Sequence, residues 1–132
     1  MEQKLKALIV DDAKISRLIT RKIIEKAFTS DEAENGLIAV SKYGEAIATG
    51  APYDIIFMDI VMPEMDGREA VKKIRELEED SGLERTPIVM ISASDMLEEI
   101  EELVNGLLRK AINRQSLNEV LQKVFDGQIS LL

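Results

Sequence analysis

Asp54-Ile55-Ile56-Phe57-Met58-Asp59-Ile60-Val61-Met62-Pro63-Glu64-Met65-Asp66-Gly67 is the stretch whose reading decides the fold. Ile55 to Met58 are bulky and apolar at consecutive positions, the pattern of a strand buried on both faces of a parallel sheet. Asp59 stands at the strand's exit. Met62-Pro63 takes the backbone out of regular pairing and restricts the residue before it. Asp66-Gly67 supplies a helix cap or turn ahead of Arg68-Glu69-Ala70-Val71. The order is strand, acid, rigid loop, helix.

The same order recurs to either side. Leu5 to Val10 reads as a first strand, ended by Asp11-Asp12. Ile15, Leu18, Ile19, Ile23 and Ala27 then repeat at helical spacing from Lys14 onward, with Arg17, Arg21 and Lys22 on other faces. Phe28 to Ala33 is short and polar, a candidate edge strand. Glu34-Asn35-Gly36 is a turn, and Leu37 to Ala48 resumes the helical pattern until Thr49-Gly50-Ala51-Pro52. Beyond the central strand, Ala70, Ile74 and Leu77 define a third helix that runs out in Glu78-Glu79-Asp80-Ser81-Gly82, read as a solvated loop. Pro87 to Ile91 is the fourth strand, ending at Ser92-Ala93-Ser94-Asp95. Met96 to Val104 predicts a fourth helix and Leu117 to Phe125 a fifth, with Asp126 to Leu132 as a tail. Asn105 to Ile112 reads as a short fifth strand, although Ile100, Leu103, Val104 and Leu107 also fit one uninterrupted helix; Gly106 favours the break.

The 132 residues are expected to form one domain, 1–132, with a core that needs no disulfide. There is no cysteine and no histidine, which removes thiol nucleophiles, histidine triads and soft or imidazole metal sites. Carboxylates, hydroxyls, lysine and hard cations remain. A net charge of −8 argues against direct nucleic-acid binding and is compatible with a protein partner or a bound cation. The apolar runs are too short to span a membrane and Met1-Glu2-Gln3-Lys4 shows no signal-peptide pattern, so a cytoplasmic location is expected.

Strands alternating with helices imply right-handed crossovers and an α/β fold with helices on both faces of a parallel sheet. For five strands the common doubly wound order is 2-1-3-4-5, which sets strands one and three side by side where the winding reverses; sites form at the carboxyl edge of that point. Asp11, Asp12 and Asp59 would meet there. Such a cluster binds either a proton or a cation, and at neutral pH magnesium, which takes oxygen ligands and leaves positions for phosphate oxygens, is the economical answer. An aspartate beside it can attack a phosphoryl group to form an acyl phosphate. Ser92 could donate a hydroxyl and Lys110 a compact charge. Each feature alone has a plainer reading: Asp-Asp before a helix is more often a cap, Ser92 a helix cap, Lys110 a surface lysine, and Glu98-Glu99 with Glu101-Glu102 a solvated face. Their common position at one sheet edge is what favours a site.

Asp59-Ile60-Val61-Met62-Pro63-Glu64-Met65-Asp66-Gly67, with Asp11-Asp12, Ser92-Ala93 and Lys110 in order, resembles the receiver domain of two-component response regulators. The resemblance implies a flavodoxin-like fold and a phosphoprotein in which Asp59 accepts a phosphoryl group from a phosphohistidine of a histidine kinase or histidine phosphotransfer protein. It implies Asp12, Asp59 and the Val61 carbonyl as magnesium ligands, with Asp11 acting through water, and Ser92, the Ala93 amide and Lys110 as holders of the phosphoryl oxygens. Output would be contact with a downstream protein or phosphoryl relay. Glu34-Asn35-Gly36 and Arg85-Thr86-Pro87-Ile88 are similar to receivers of hybrid sensor kinases.

The chain departs from that pattern in one region. Ala111 replaces the proline that usually follows the lysine, often after a cis bond; Leu107 stands where an aromatic switch residue is common; and the Ser92 to Lys110 interval is a few residues short, so the fourth helix or fifth strand is expected to be trimmed or irregular. These features suggest the competing reading beside the first, a degenerate receiver that docks proteins without phosphorylation. A turnover phosphatase is disfavoured, because Val61 rather than a second acid lies two residues after Asp59.

Overall fold

The computed structural model describes residues 4–93 and 100–132. Strands β1 (Leu5–Val10), β2 (Phe28–Ala33), β3 (Ile55–Asp59), β4 (Ile88–Ser92) and β5 (Gly106–Arg109) form one parallel sheet in the order β2-β1-β3-β4-β5. Among the described residues, helices α1 (Lys14–Ile24), α2 (Gly36–Ala48), α3 (Gly67–Asp80) and α4 (Arg114–Val124) connect or follow them, with a 3-10 turn at Glu101–Leu103. The doubly wound, flavodoxin-like order expected from the strand–helix alternation is the order found. No described helix is long and apolar enough to cross a membrane.

Successive residues of the central strands point to opposite sides, which explains why Ala7 to Val10, Ile55 to Met58 and Ile88 to Ile91 are apolar at every position. Leu8, Val10, Ile56, Met58, Ile88 and Met90 pack with Tyr43 of α2 and with Ala70, Val71 and Ile74 of α3. Ala7, Ile9, Ile55, Phe57, Val89 and Ile91 pack with Ile24 of α1 and with Leu117 and Leu121 of α4. Each large side chain so enclosed contributes about 1.5–3 kcal/mol relative to exposure. β2 pairs with β1 alone and turns polar residues outward, as an edge strand does.

Side chains start three of the helices. Asn35 Oδ1 accepts from Ile38 N at 2.8 Å, Asp66 Oδ1 accepts from Glu69 N at 3.0 Å, and Asn113 and Ser116 cap each other reciprocally. The β3–α3 loop is closed at its far end by Gly67, whose N–H donates to Ile60 O at 2.7 Å. A Cβ at Gly67 would stand 2.1 Å from the Asp59 carbonyl oxygen, so only glycine allows this approach. From outside, the Gly36 N–H donates to Met65 O at 3.0 Å.

Three expectations need correction. Glu78 to Gly82 is not simply a solvated loop: α3 continues to Asp80, and Glu78 is 1 % exposed. Its carboxylate accepts from Arg75 Nη1, Tyr43 Oη and Thr86 N. The expected helix over Met96 to Val104 falls partly on 94–99, outside the described residues. Its remainder makes only the 3-10 turn, after which Val104 is extended. The uninterrupted-helix alternative thereby fails and the short fifth strand is present. The physical reason is local: Arg75 takes the Leu103 carbonyl, and Asn105 is committed to both backbone groups of Ile88. Finally, Asp126 to Leu132 is more than a tail. Leu131 is buried against the α1–α4 side, its N–H donates to Asn118 Oδ1 at 2.8 Å, and Lys26 Nζ reaches Leu132 O at 2.7 Å.

Candidate functional site

Register alone brings the acids together. Val10 of β1 pairs with Met58 of β3, so Asp11, one residue on, is level with Asp59 at the carboxyl edge. Asp12 follows in the turn to α1. One carboxylate oxygen from each of Asp11, Asp12 and Asp59 lies within 4.8 Å of the others; Asp11 and Asp59 are buried and Asp12 is exposed. Asp11 Oδ1 is oriented by the Ala13 N–H at 2.9 Å.

Lys110 completes the group. β5 pairs Arg109 with Ser92, the ladder runs one step further through Lys110 N to Ser92 O at 3.0 Å, and the Lys110–Ala111 peptide bond is cis. The Lys110 ammonium then lies 3.2 Å from Asp11 Oδ2 and 3.4 Å from Asp59 Oδ2. The alanine in place of proline does not keep the lysine from the acids. Ser92 ends β4 and is almost fully buried; Ala93 follows at an exposed bend. Asp59 pairs with Ile91, which sets Ser92 one residue beyond the aspartate on the neighbouring strand. Val61 stands on the loop with its side chain 72 % exposed.

Burial, and then the neighbouring Asp11 charge, push the Asp59 carboxyl above its ordinary range, while Lys110 pulls it back. For Lys110, burial favours the neutral form, but the Asp59 and Asp11 carboxylates outweigh it and hold the ammonium above its usual value. Two buried acids share one ammonium and an exposed third acid, an arrangement short of positive charge. Hard oxygen donors at this spacing fit a small divalent cation that retains water ligands. With one Asp59 oxygen on such an ion, the other would be available as a nucleophile toward a phosphoryl group.

Sequence reasoning missed Arg17, which it set only off the apolar face of the first helix. Its Nη1 donates to the Asp11 carbonyl at 2.7 Å and its Nε to Glu32 Oε1 at 2.9 Å, tying the acidic turn to the end of β2. The signal available was its position one turn into a helix that starts directly behind the acids. Between α1 and the segment after β5 lies a cleft of about 130 Å³ lined by Asp11, Ser16, Ile19, Thr20, Lys110 and Ile112, opening beside the acids.

The response regulator receiver domain family matches residues 7–123. A two-component response regulator of rice, ORR41, is 32% identical over 126 residues, covering 90% of this chain and 93% of that protein. Probable histidine kinase 2 of rice is 33% identical over 135 residues, which cover 92% of this chain but only 13% of the kinase. Among solved structures, the receiver domain of the Arabidopsis thaliana histidine kinase CKI1 in complex with Mg2+ superposes with a TM-score of 0.78 at 31% identity, covering 91% of each chain. Its complex with Mg2+ and BeF3− gives 0.75 at 30% identity, covering 89% of this chain and 90% of that one. On the sequence match, the sheet order and the three acids at its switch point, the chain belongs to the response regulator receiver domain family.

Proposed function

We propose that residues 1–132 work as one cytoplasmic receiver domain that accepts a phosphoryl group on Asp59 from a phosphohistidine and signals by protein contact. In the transfer, an Asp59 carboxylate oxygen attacks phosphorus in line. A phosphorus–oxygen bond forms as the phosphorus–nitrogen bond breaks, and its electron pair returns to the donor's imidazole. The observation that carries this reading is the convergence of Asp11, Asp12 and Asp59 within 4.8 Å, with the Lys110 ammonium 3.4 Å from Asp59. The chain is an acceptor that takes part in its own modification, not a turnover enzyme.

Asp12, Asp59 and the Val61 carbonyl would hold magnesium, with Asp11 placed to act through a bound water. When bound, the ion supplies positive charge against the transferring oxygens and lowers the cost of keeping three carboxylates ionised. Lys110 takes the phosphoryl oxygens from the other side, and Ser92 with the Ala93 amide receives the remaining one at the end of β4. Lys110 then exchanges a contact with Asp59 for one with the phosphoryl group, so the arrival of phosphate is felt on β5. Leu107, partly buried against the α2–α3 side, offers no aromatic ring for a switch. The donor would be a histidine kinase or histidine phosphotransfer protein, as the kinase relatives suit. The α1 surface beside the site exposes Ile15, Leu18 and Ile19 between basic residues and suits contact with such a protein.

Incubation with magnesium and a small acyl phosphate, followed by intact-mass measurement, tests the reading. One added phosphoryl group that vanishes in Asp59→Asn is expected. No added mass, or mass that survives the substitution, would refute the proposal and favour a docking module independent of phosphorylation.

A further inference from the structure

Lys110 is carried on the least secured strand of the sheet. β5 is four residues long, stands at the edge and pairs with β4 alone. No tight turn sets its register, because a crossover joins it to β4. Side chains alternate along a strand, so a slip of one residue would turn Leu108 out of the core and displace the chain by roughly 3.3 Å. That is as long as the 3.4 Å contact between Lys110 Nζ and Asp59.

The start of β5 is gripped from α3. Arg75 is 6 % exposed and lies at the far end of the sheet from the acids. Its Nε and Nη2 both donate to the Leu103 carbonyl, at 2.9 and 2.8 Å. Its Nη1 is held by Glu78 Oε1 at 2.8 Å and by the Thr86 carbonyl at 2.8 Å. Glu78 is fixed in turn by Tyr43 Oη at 2.6 Å and Thr86 N at 2.7 Å. Asn105, next but one to Leu103, donates its N–H to Ile88 O at 2.7 Å and accepts the Ile88 N–H on Oδ1 at 3.0 Å. Leu103 and Asn105 thus flank Val104 just ahead of β5, Asn105 tied directly to Ile88 at the start of β4 and Leu103 tied through Arg75 to Thr86.

We propose that Arg75, with Asn105, is a positioning residue for phosphoryl transfer, fixing the register of β5 from its first residue so that Lys110 meets Asp59 at the other end. The proposal rests on the reading of Lys110 as the group that holds the phosphoryl oxygens. A planar guanidinium is needed because two parallel donors meet one carbonyl while a third serves Glu78; an ammonium has no such fixed fork. A buried ion pair is weak evidence of stability; here its hydrogen bonds fix where the Leu103 carbonyl sits, which is what an edge strand with a distant functional side chain requires.

The test compares wild type, Arg75→Lys, Asn105→Ala, Lys110→Gln and the Arg75→Lys/Lys110→Gln double variant. Phosphorylation rate from a small acyl phosphate, magnesium affinity and amide exchange of β5 are measured for each. Arg75→Lys keeps a cation against Glu78, and Asn105→Ala is outside the buried pair, so one folded variant carries the test if the other fails to fold. The expected result is a rate loss of about tenfold for Arg75→Lys, the scale of a group that orients another. Asn105→Ala should move the same way, with faster exchange at Leu107 and Leu108 and undiminished magnesium affinity. Once Lys110 is glutamine, Arg75→Lys should add nothing. Wild-type rates in both clamp variants overturn the inference, as does a loss that persists in full in the double variant or runs in step with magnesium affinity. If Lys110→Gln alone leaves the rate unchanged, the role of Lys110 falls and the clamp with it.

Discussion

Gly67→Ala places a methyl group against the backbone of the phosphoacceptor itself. The added Cβ would stand 2.1 Å from the Asp59 carbonyl oxygen and 3.0 Å from both Asp59 C and Ile60 Cα. The gap must open by about 0.9 Å before it reaches the 3.0 Å that real Cβ contacts keep. None of those atoms is the end of a flexible side chain, so the strand or the loop has to move. Overpacking of this kind costs about 1–3 kcal/mol. Parting Gly67 N from Ile60 O, now 2.7 Å, costs about 0.5–1.5 kcal/mol more. Alanine's better helix propensity returns at most about 1 kcal/mol at the first position of α3. The net loss is therefore about 2–3 kcal/mol, read from urea unfolding followed by circular dichroism with an unchanged m value. Magnesium titration should show weaker binding as well, since the displaced carbonyl belongs to Asp59. Gly44→Ala is the control: its Cβ would meet only Leu77 Cδ1, at 3.9 Å, and the variant should gain about 0.5–1 kcal/mol. A loss at Gly67 below about 0.5 kcal/mol, with magnesium binding intact, would refute the close approach.

Tyr43→Phe removes a hydroxyl bonded to both Glu78 and Thr86 and should cost about 1–2 kcal/mol in the same unfolding assay. Asp59→Asn should stabilise the magnesium-free protein near neutral pH. The folded carboxyl is raised above its unfolded value, so the native state binds the extra proton, and wild-type stability falls as pH rises from the ordinary carboxylate range through the folded value. The advantage of asparagine should disappear below pH ~4, and urea midpoints measured across pH check this. Val61→Asn should shorten the life of the aspartyl phosphate, because an exposed apolar side chain cannot orient an attacking water and an amide can. An unchanged decay of the phosphorylated mass would refute that role.

The strands buried on both faces announced themselves. β3, β4 and the last four residues of β1 are buried throughout, and the apolar pattern breaks where Asp11, Asp59 and Ser92 stand. Once the winding order was assumed, the meeting of the acids followed without side-chain geometry. Lys110 was harder to place, because its position depends on the register of an edge strand, and nothing within Leu107-Leu108-Arg109-Lys110 states what holds that register. Glu78, the partner of Arg75, lay in a string that read as a solvated loop. Glu78 sits seven residues after Val71 and four after Ile74, on the buried face of α3, with Arg75 three before it; that spacing was the available signal. Helical periodicity from Ile100 to Leu107 offered a continuous helix that Gly106 argued against; periodicity counts apolar positions and ignores who takes the carbonyls. In the folded chain, Arg75 takes the one at Leu103.

The last seven residues bear on how this domain can be cut and joined. The family match ends at residue 123, yet Leu131 is 2 % exposed and its backbone is bonded to Asn118 inside α4. A chimera trimmed to the family boundary would lose that plug together with Val124 and Phe125, and would uncover Phe28 and Leu121 of the same cluster, creating a sticky surface where a solubilising edit was intended. Lys26 meets the Leu132 carbonyl at the end of the sheet where the strands begin. A reporter or sensor module grafted after Leu132 would leave from that end, opposite Asp59, and would not crowd an incoming phosphodonor.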